Sequence, residues 1–450
     1  MKIERVLTAK ETESKFQKDH FENKNIHTNN KIIIDEDITY QSILGFGGAF
    51  SEAACYSLAQ LSSSNRNKIL NAYFDKENGL GYNLGRISIN SCDFSLENYD
   101  YVKENDNSLK TFDISREEKW VIPTIKDAVK IRGKEIKLLA SPWSPPAWMK
   151  TNKKMVNGGK LLDKYKKTWA DYYIKFINEY KKRDLDIWGV TVQNEPAAVQ
   201  VWESCIYTAE EERDFVKNYL GPAFINNGLK DKKIIVWDHN RDKVIKRATT
   251  ILSDKKAAEY IWGTGIHWYI SEEFKNLSEV HNRFPDKHLL FTEGTQEGGL
   301  HLGSWKTGER YARNIIGDLN NWVEGYIDWN LVLNEKGGPN HVGNYCDAPV
   351  IADAKNDQVI FNSSFYYIGH FSKYIKEHAV RINSKHNIKN LQLTAFKNPD
   401  GSIIIVILNE TEQKKYFELK YNHTSIKNEA PKRSIQTIII DKGGDCDQKL

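Results

Sequence analysis

Thr191-Val192-Gln193-Asn194-Glu195-Pro196 closes one apolar, strand-like run of this chain, and Phe291-Thr292-Glu293-Gly294 closes another almost a hundred residues on. Each sets one glutamate where a strand gives way to a loop. The first run, Ile187 to Glu195, has companions at Ile43 to Phe50, Leu84 to Asn90, Glu135 to Trp143, Lys233 to His239, Gly265 to Tyr269, His288 to Glu293 and Tyr326 to Leu333, making eight candidate strands. Helical stretches separate most of them. Leu161 to Lys182 carries apolar residues at helical spacing, Thr208 heads an acidic first turn (Glu210, Glu211, Glu212), and Thr307 opens a helix reaching Trp322. Strands alternating with helices point to a parallel α/β architecture, and eight such units point to a closed (β/α)8 TIM barrel.

The rhythm changes near Val380. From there only strand-like runs follow, Leu391 to Phe396, Ile403 to Leu408, Tyr416 to Tyr421 and Ile435 to Ile440, separated by Asn, Asp, Gly and Lys turns. They read as a small all-β domain, and β-type pieces at Arg5 to Ala9 and Lys31 to Ile34 are placed to complete it from the other end of the chain.

Bulk properties are permissive. The 450 residues exceed one ordinary core, which favours two domains or a large barrel with an accessory domain. Lys+Arg of 64 against Asp+Glu of 60 leaves +4, which implies neither nucleic acid nor an anionic membrane as partner. Five cysteines (Cys55, Cys92, Cys205, Cys346, Cys446) lie far apart with no C-x-x-C pair, so neither a disulfide framework nor a zinc cluster is expected and reduced thiols in a cytosol fit best. The start, Met1-Lys2-Ile3-Glu4-Arg5-Val6, leads into polar sequence rather than an apolar leader core, and no apolar run is long enough for an integral membrane segment. The expectation is a cytoplasmic protein.

In a TIM barrel the C-terminal strand ends face the active-site mouth, so Glu195 is expected to close strand four and Glu293 strand seven. Two carboxyls presented there suit glycosidic bond cleavage, one protonating the leaving oxygen and one attacking or activating water. A lone glutamate at such a point is ordinarily a solvated loop residue or a cap. Here the backbone gives each a place: proline restricts Glu195 to extended geometry, and Gly294 permits a sharp turn after Glu293.

At this level of detail the chain resembles glycoside hydrolase family 30, which includes glucosylceramidases (acid β-glucosidases) and bacterial relatives. The resemblance runs through Gly45-Phe46-Gly47-Gly48-Ala49-Phe50-Ser51-Glu52, Ser91-Cys92-Asp93-Phe94-Ser95, the Ser141 to Asn152 stretch, both glutamate motifs, Gly265-Ile266-His267-Trp268-Tyr269, Asp328-Trp329-Asn330-Leu331 and Gly337-Gly338-Pro339-Asn340. It covers about three quarters of the chain, in the family's order, and identifies a bacterial-type member. It implies residues 1–40 as strands contributing to a β-sandwich formed by both termini, 41–378 as the catalytic barrel and 379–450 as the C-terminal β-sandwich domain. It also implies Glu195 as acid/base and Glu293 as nucleophile of a retaining double displacement on a carbohydrate or glycolipid, with no cofactor and no metal. A raised carboxyl pKa is expected for Glu195, from burial and the anionic Glu293.

Other roles follow from the same resemblance. Asn194 matches the residue bonding the sugar 2-hydroxyl, His267 and Tyr269 match positions orienting the nucleophile, and Arg86 adds positive charge there. Asp93, Trp143, Trp329 and Asn344 match positions gripping a terminal glucose, with Trp202 in support. All twelve tryptophans lie between Trp120 and Trp329. Trp143, Trp202, Trp268 and Trp329 adjoin motifs, whereas Trp169, Trp188, Trp237 and Trp322 read as packing residues, and His267 reads equally well as a satisfied wall residue. The loop after Glu195, Ala197 to Cys205, departs from the lysosomal pattern, so the reacting sugar is better specified than the aglycone. Asn334 to Phe361 reads as a mouth-covering loop or an ordered structural one. The rival readings are an endo-β-1,6-glucanase or exo-β-xylosidase of the same family, a metal-dependent barrel hydrolase using Asp238, His239 and His267, and a non-catalytic glycan-binding barrel.

Overall fold

Residues 2–441 are described by the computed structural model, and Cys446 lies outside them. The chain opens with β1 (Lys2–Ala9), β2 (Ser14–His20) and β3 (Lys31–Ser42). Eight strands then follow: β4 (Gly45–Ala49), β5 (Leu84–Ile89), β6 (Lys137–Pro142), β7 (Ile187–Thr191), β8 (Lys233–Asn240), β9 (Ile261–His267), β10 (His288–Glu293) and β11 (Val323–Asp328). They close into one barrel in the order β10-β11-β4-β5-β6-β7-β8-β9. The pairs are parallel, as βαβ connection requires, and the strands are buried on both faces, so they read as apolar runs rather than alternating ones.

The expected barrel strands are all present, with shifted ends. The sixth starts at Ile261 rather than Gly265, and the eighth ends at Asp328; Val332–Asn334 (β12) instead joins β13 (Val350–Asp353) and β14 (Gln358–Phe361) in a separate three-stranded sheet. The fourth ends at Thr191, so Asn194 and Glu195 stand on the loop beyond it. Thr208 caps its helix as expected: its hydroxyl accepts from Glu211 N and the Glu211 carboxylate accepts from Thr208 N, a complete capping box.

Past the barrel come β15 (Val380–His386), β16 (Gln392–Lys397), β17 (Ile403–Asn409), β18 (Lys415–Tyr421), β19 (Thr424–Ala430) and β20 (Ser434–Asp441). With β1 to β3 they form a nine-stranded sheet, β19-β18-β3-β15-β16-β17-β20-β1-β2. One apolar core joins strands distant in that order, Ile32, Ile34, Phe417 and Leu419 from one end with Leu393, Ile405, Ile407 and Ile438 from the other. The sheet therefore folds over on itself as a sandwich. Its edge strands β2 and β19 were not legible in the sequence; a strand paired on one side alternates with polar residues, and Ser14–His20 is largely exposed.

By compactness the described residues form two units, 2–45 with 301–324 and 361–441, and 46–300 with 325–360. The helices Trp305–Leu319 and Ser363–Ser372 group with the terminal sheet. Within that unit His370 is buried between Thr8 and Thr437, whose hydroxyls lie 2.8 and 2.9 Å from its ring nitrogens.

Candidate active site

The site is assembled from strand ends. Arg86, on β5, is fully buried, a position a guanidinium holds only when its protons are matched. Its Nη2 donates to Asp238 Oδ2 at 2.8 Å and Asn194 Oδ1 at 2.9 Å, its Nε to Ser141 Oγ at 3.0 Å, and its Nη1 to Glu293 Oε2. The cation also lies over the rings of Trp143 and Trp329, at 4.8 and 5.5 Å from their centroids. Those two indoles stack 5.0 Å apart. One side chain thus ties four strand ends to the aromatic floor.

Asp238 is the second hub. The register slips between Val236 and His239 on β8, and Trp237 and Asp238 take positive φ of 71° and 48°. Such a bulge re-aims a side chain at some conformational cost. Here it turns the Asp238 carboxylate to Arg86, to Thr292 Oγ1 at 2.6 Å and to His267 Nε2 at 3.0 Å. Burial alone would raise the Asp238 pKa, but Arg86, His267 and Thr292 together hold it well below the ordinary carboxylate range.

His267 presents its other nitrogen, Nδ1, to Glu195 Oε1 at 3.2 Å. Burial opposes its charge, yet Glu293, Asp238 and Glu195 outweigh that and push its pKa up to about 9. Glu293 ends β10 after a second register slip, between Phe291 and Glu293, and its Oε1 accepts from Tyr269 Oη at 2.9 Å. Both of its oxygens therefore receive a donor.

These groups surround a cavity of about 550 Å³. Asp93, Trp143, Asn194, Glu195, Trp202, Tyr269, Glu293, Trp329 and Asn344 all line it, while Arg86 and His267 support it from behind. Asp93 Oδ2 accepts from Asn344 Nδ2 at 3.0 Å and from Asn340 Nδ2 at 3.2 Å; burial outweighs these donors and lifts its pKa to about 7. Among the described residues one grouping has the donor set of a metal centre, Glu195 with His239 and His267, whose ligand atoms lie within 4.8 Å of one another.

Residues 43–375 match the glycosyl hydrolase family 30 TIM-barrel domain and residues 378–438 the family's β-sandwich domain. The chain belongs to glycoside hydrolase family 30. The lysosomal acid glucosylceramidase of Mus musculus is 37% identical over 393 residues, 83% of this chain and 76% of the mouse protein. The crystal structure of SrfJ from Salmonella typhimurium superposes with a TM-score of 0.94 at 34% identity, over 98% of this chain and 100% of SrfJ. The endo-β1,6-glucanase BT3312 gives 0.88 at 29% identity, over 97% and 99%. This family 30 protein is accordingly a glycoside hydrolase.

Several expectations for the glycoside hydrolase need correction. Glu195 does not take extended geometry before its proline; its φ is 46°, because the chain turns at once, with Glu195 N bonded to Asp238 O at 3.0 Å and Ala198 N to Glu195 O at 2.9 Å. Gly294 is not a left-handed turn residue. It is excluded from bearing a side chain by space, since a Cβ there would meet Phe291 at 2.6 Å and Trp268 at 2.9 Å. The Glu195 pKa is lowered, not raised: burial favours its neutral form, but His239 and His267 outweigh it. Trp268 packs behind Phe291 rather than lining the cavity, and Trp237, read as a packing residue, does line it.

The residues that sequence reasoning missed are supports. In the sequence Asp238 reads only as a metal ligand, although a carboxylate at the end of strand five is visible there. Thr292 stands inside the Phe291 to Gly294 motif, and Asn340 closes the Gly337 to Asn340 motif; nothing in the sequence says that their side chains face Asp238 and Asp93.

Proposed function

We propose that this glycoside hydrolase removes a terminal β-linked glucosyl residue with retention of configuration, Glu293 acting as nucleophile and Glu195 as acid/base. The observation that carries the reading is the single guanidinium of Arg86 bonded to both Glu293 and Asn194, the neighbour of Glu195. It sets a buried cation against the attacking carboxylate and fixes that carboxylate relative to the residue assigned to contact the sugar.

In the first step Glu293 attacks the anomeric carbon as the bond to the leaving oxygen breaks and Glu195 gives that oxygen its proton. In the second, Glu195 removes a proton from water, which attacks the anomeric carbon and frees Glu293. Retention calls for carboxyls about 5 to 5.5 Å apart. Trp143 and Trp329 offer apolar faces to a pyranose, and Asp93 a carboxylate for its hydroxyls. The glucosylceramidase name of the mouse relative supports glucose as the reacting sugar, with a glycolipid or another glucoside as substrate.

A panel of aryl β-glycosides (glucoside, xyloside, galactoside, fucoside) tests this, hydrolysed by the wild type and by Glu293→Gln with the product anomer followed by NMR. Release of β-glucose by the wild type alone supports the reading. α-Glucose as first product, or turnover by Glu293→Gln, overturns it. The similarity to BT3312 favours a second reading, an endo-β-1,6-glucanase, which would leave aryl glucosides untouched and cut a β-1,6-glucan internally. Because both carboxyls come from the chain, prolonged treatment with a chelator should leave the rate unchanged; full loss would favour the metal-dependent reading of Glu195, His239 and His267.

A further inference from the structure

Lys150 stands in the Ser141 to Asn152 motif, and nothing in the chemistry above uses it. Its side chain is fully buried. The ammonium donates its three protons to three neutral oxygens, Ser144 Oγ at 3.0 Å, Met155 O at 3.0 Å and Ser204 O at 2.6 Å. A desolvated ammonium persists only when each proton has an acceptor, and this one has as many acceptors as protons. Burial pulls its pKa down to about 8. Leucine or methionine would fill the same space at less cost, so the charge is spent on joining those three oxygens.

The three acceptors belong to three separate segments. Ser144 follows the floor residue Trp143, Met155 is on the loop after the Ala147–Met149 turn, and Ser204 is on the loop that leaves Glu195. The latter two loops are further knitted by the Val156–Glu203 bridge, by Asn157 N to Gln200 O at 2.8 Å, and by Ser204 Oγ, which accepts from Gly158 N at 2.9 Å and Gln200 N at 3.1 Å. Between the knots, Gln200 and Trp202 face the cavity. Trp202 packs against the cluster that holds Trp143 and Trp329, so it prolongs the aromatic floor. Since the loop starts at the residue assigned to protonate the leaving oxygen, that prolongation lies on the leaving-group side.

We propose that Lys150 is a positioning residue that sets the leaving-group subsite, its buried ammonium locking the Pro196 to Ile206 loop so that Trp202 can stack on the aglycone. The inference rests on the assignment of Glu195 and Glu293 given above. It separates two steps: capture of the leaving group depends on Lys150, and attack by Glu293 does not.

The test uses full-length wild type, Lys150→Met, Trp202→Ala and the double variant. Two probes are compared: 4-methylumbelliferyl β-glucoside, whose aromatic leaving group needs the subsite, and 2-deoxy-2-fluoro-β-glucosyl fluoride, whose fluoride does not. Trapping by the fluoride is followed by mass spectrometry. Lys150→Met should raise KM for the umbelliferyl glucoside about tenfold with little change in kcat, the scale of one lost aromatic stacking contact. Its trapping rate should stay within about threefold of wild type, a split that general loss of structure does not produce. Trp202→Ala should do the same, and the double variant no worse than either single one. Should Lys150→Met fail to fold, Ser144→Ala, which removes the one side-chain acceptor of the ammonium, must show the same split. Parallel loss of hydrolysis and trapping, multiplying effects in the double variant, or no change in KM overturns the proposal. Failure of the wild type to be trapped at all overturns the retaining assignment instead.

Discussion

His267 and Glu195 face each other at 3.2 Å, imidazole Nδ1 to carboxyl Oε1. The imidazole is in turn held by Asp238 through Nε2. With the His267 pKa up to about 9 and that of Glu195 lowered, the resting pair near neutral pH keeps one proton, mostly on the histidine. A glycosidase acid needs that proton on its carboxyl at the moment of bond cleavage. In the first step of the proposed reaction His267 Nδ1, 3.2 Å away, is placed to return that proton to Glu195 before Glu293 is esterified.

His267→Asn should therefore move the basic limb of the kcat/KM profile to lower pH. In the wild type that limb reports the last proton of the pair, and in the variant it reports Glu195 alone. The expected shift exceeds one pH unit, with a loss of activity at pH 8 much larger than at pH 5. An unmoved limb would show that His267 does not share the proton.

Asn340 joins two cavity-lining residues, Asp93 and Asn344. Its amide donates to Asp93 Oδ2 at 3.2 Å, while its Oδ1 accepts from Asn344 N at 2.9 Å and Val342 N at 3.1 Å. Asn340→Ala removes all three bonds and should raise KM by roughly 5- to 30-fold, a factor matching about 1–2 kcal/mol for lost buried hydrogen bonds, with a smaller change in kcat. Initial rates on an aryl glucoside give both constants. A change in kcat alone would place Asn340 outside sugar binding.

The barrel was legible in the sequence because parallel strands buried on both faces appear as unbroken apolar runs, and its eight runs recur with helices between them. Glu195 and Glu293 were legible because motif and strand end coincide. Three-dimensional electrostatics was not. The sign of the Glu195 shift depends on His239 and His267, which come from two other strands, and the inward aim of Asp238 depends on a bulge that no local pattern announces. The same limit explains Gly294, read as a turn residue when its neighbours in space, Phe291 and Trp268, are what forbid a side chain.

Gly294→Ala follows from that reading. A methyl 2.6 Å from Phe291 Cζ must displace a ring that stacks on Tyr326, 4.2 Å away, within the barrel interior. Overpacking of this kind typically costs about 1–3 kcal/mol. The variant should lose thermal stability, and should lose activity beyond that, since the displaced ring is two residues from Glu293. Full activity in Gly294→Ala would mean that the rings yield without moving Glu293.

Glu117 tests the electrostatics of the barrel away from the cavity. It is 3% exposed and accepts from Tyr101 Oη at 2.6 Å and Tyr99 Oη at 3.0 Å through one oxygen, with Tyr180 Oη 3.4 Å from the other. Burial outweighs these bonds and lifts its pKa from 4.5 to about 7. Between those two values the folded chain keeps a proton that the unfolded chain has released, so stability falls as pH rises through that window and the full penalty is present above it. A shift of that size corresponds to roughly 3 kcal/mol. Glu117→Gln keeps a carbonyl for Tyr99 and Tyr101 and removes the ionisation. Its thermal midpoint, relative to wild type, should therefore be higher at pH 8 than at pH 5. The opposite sign would mean that the tyrosine hydroxyls stabilise the carboxylate more than burial penalises it.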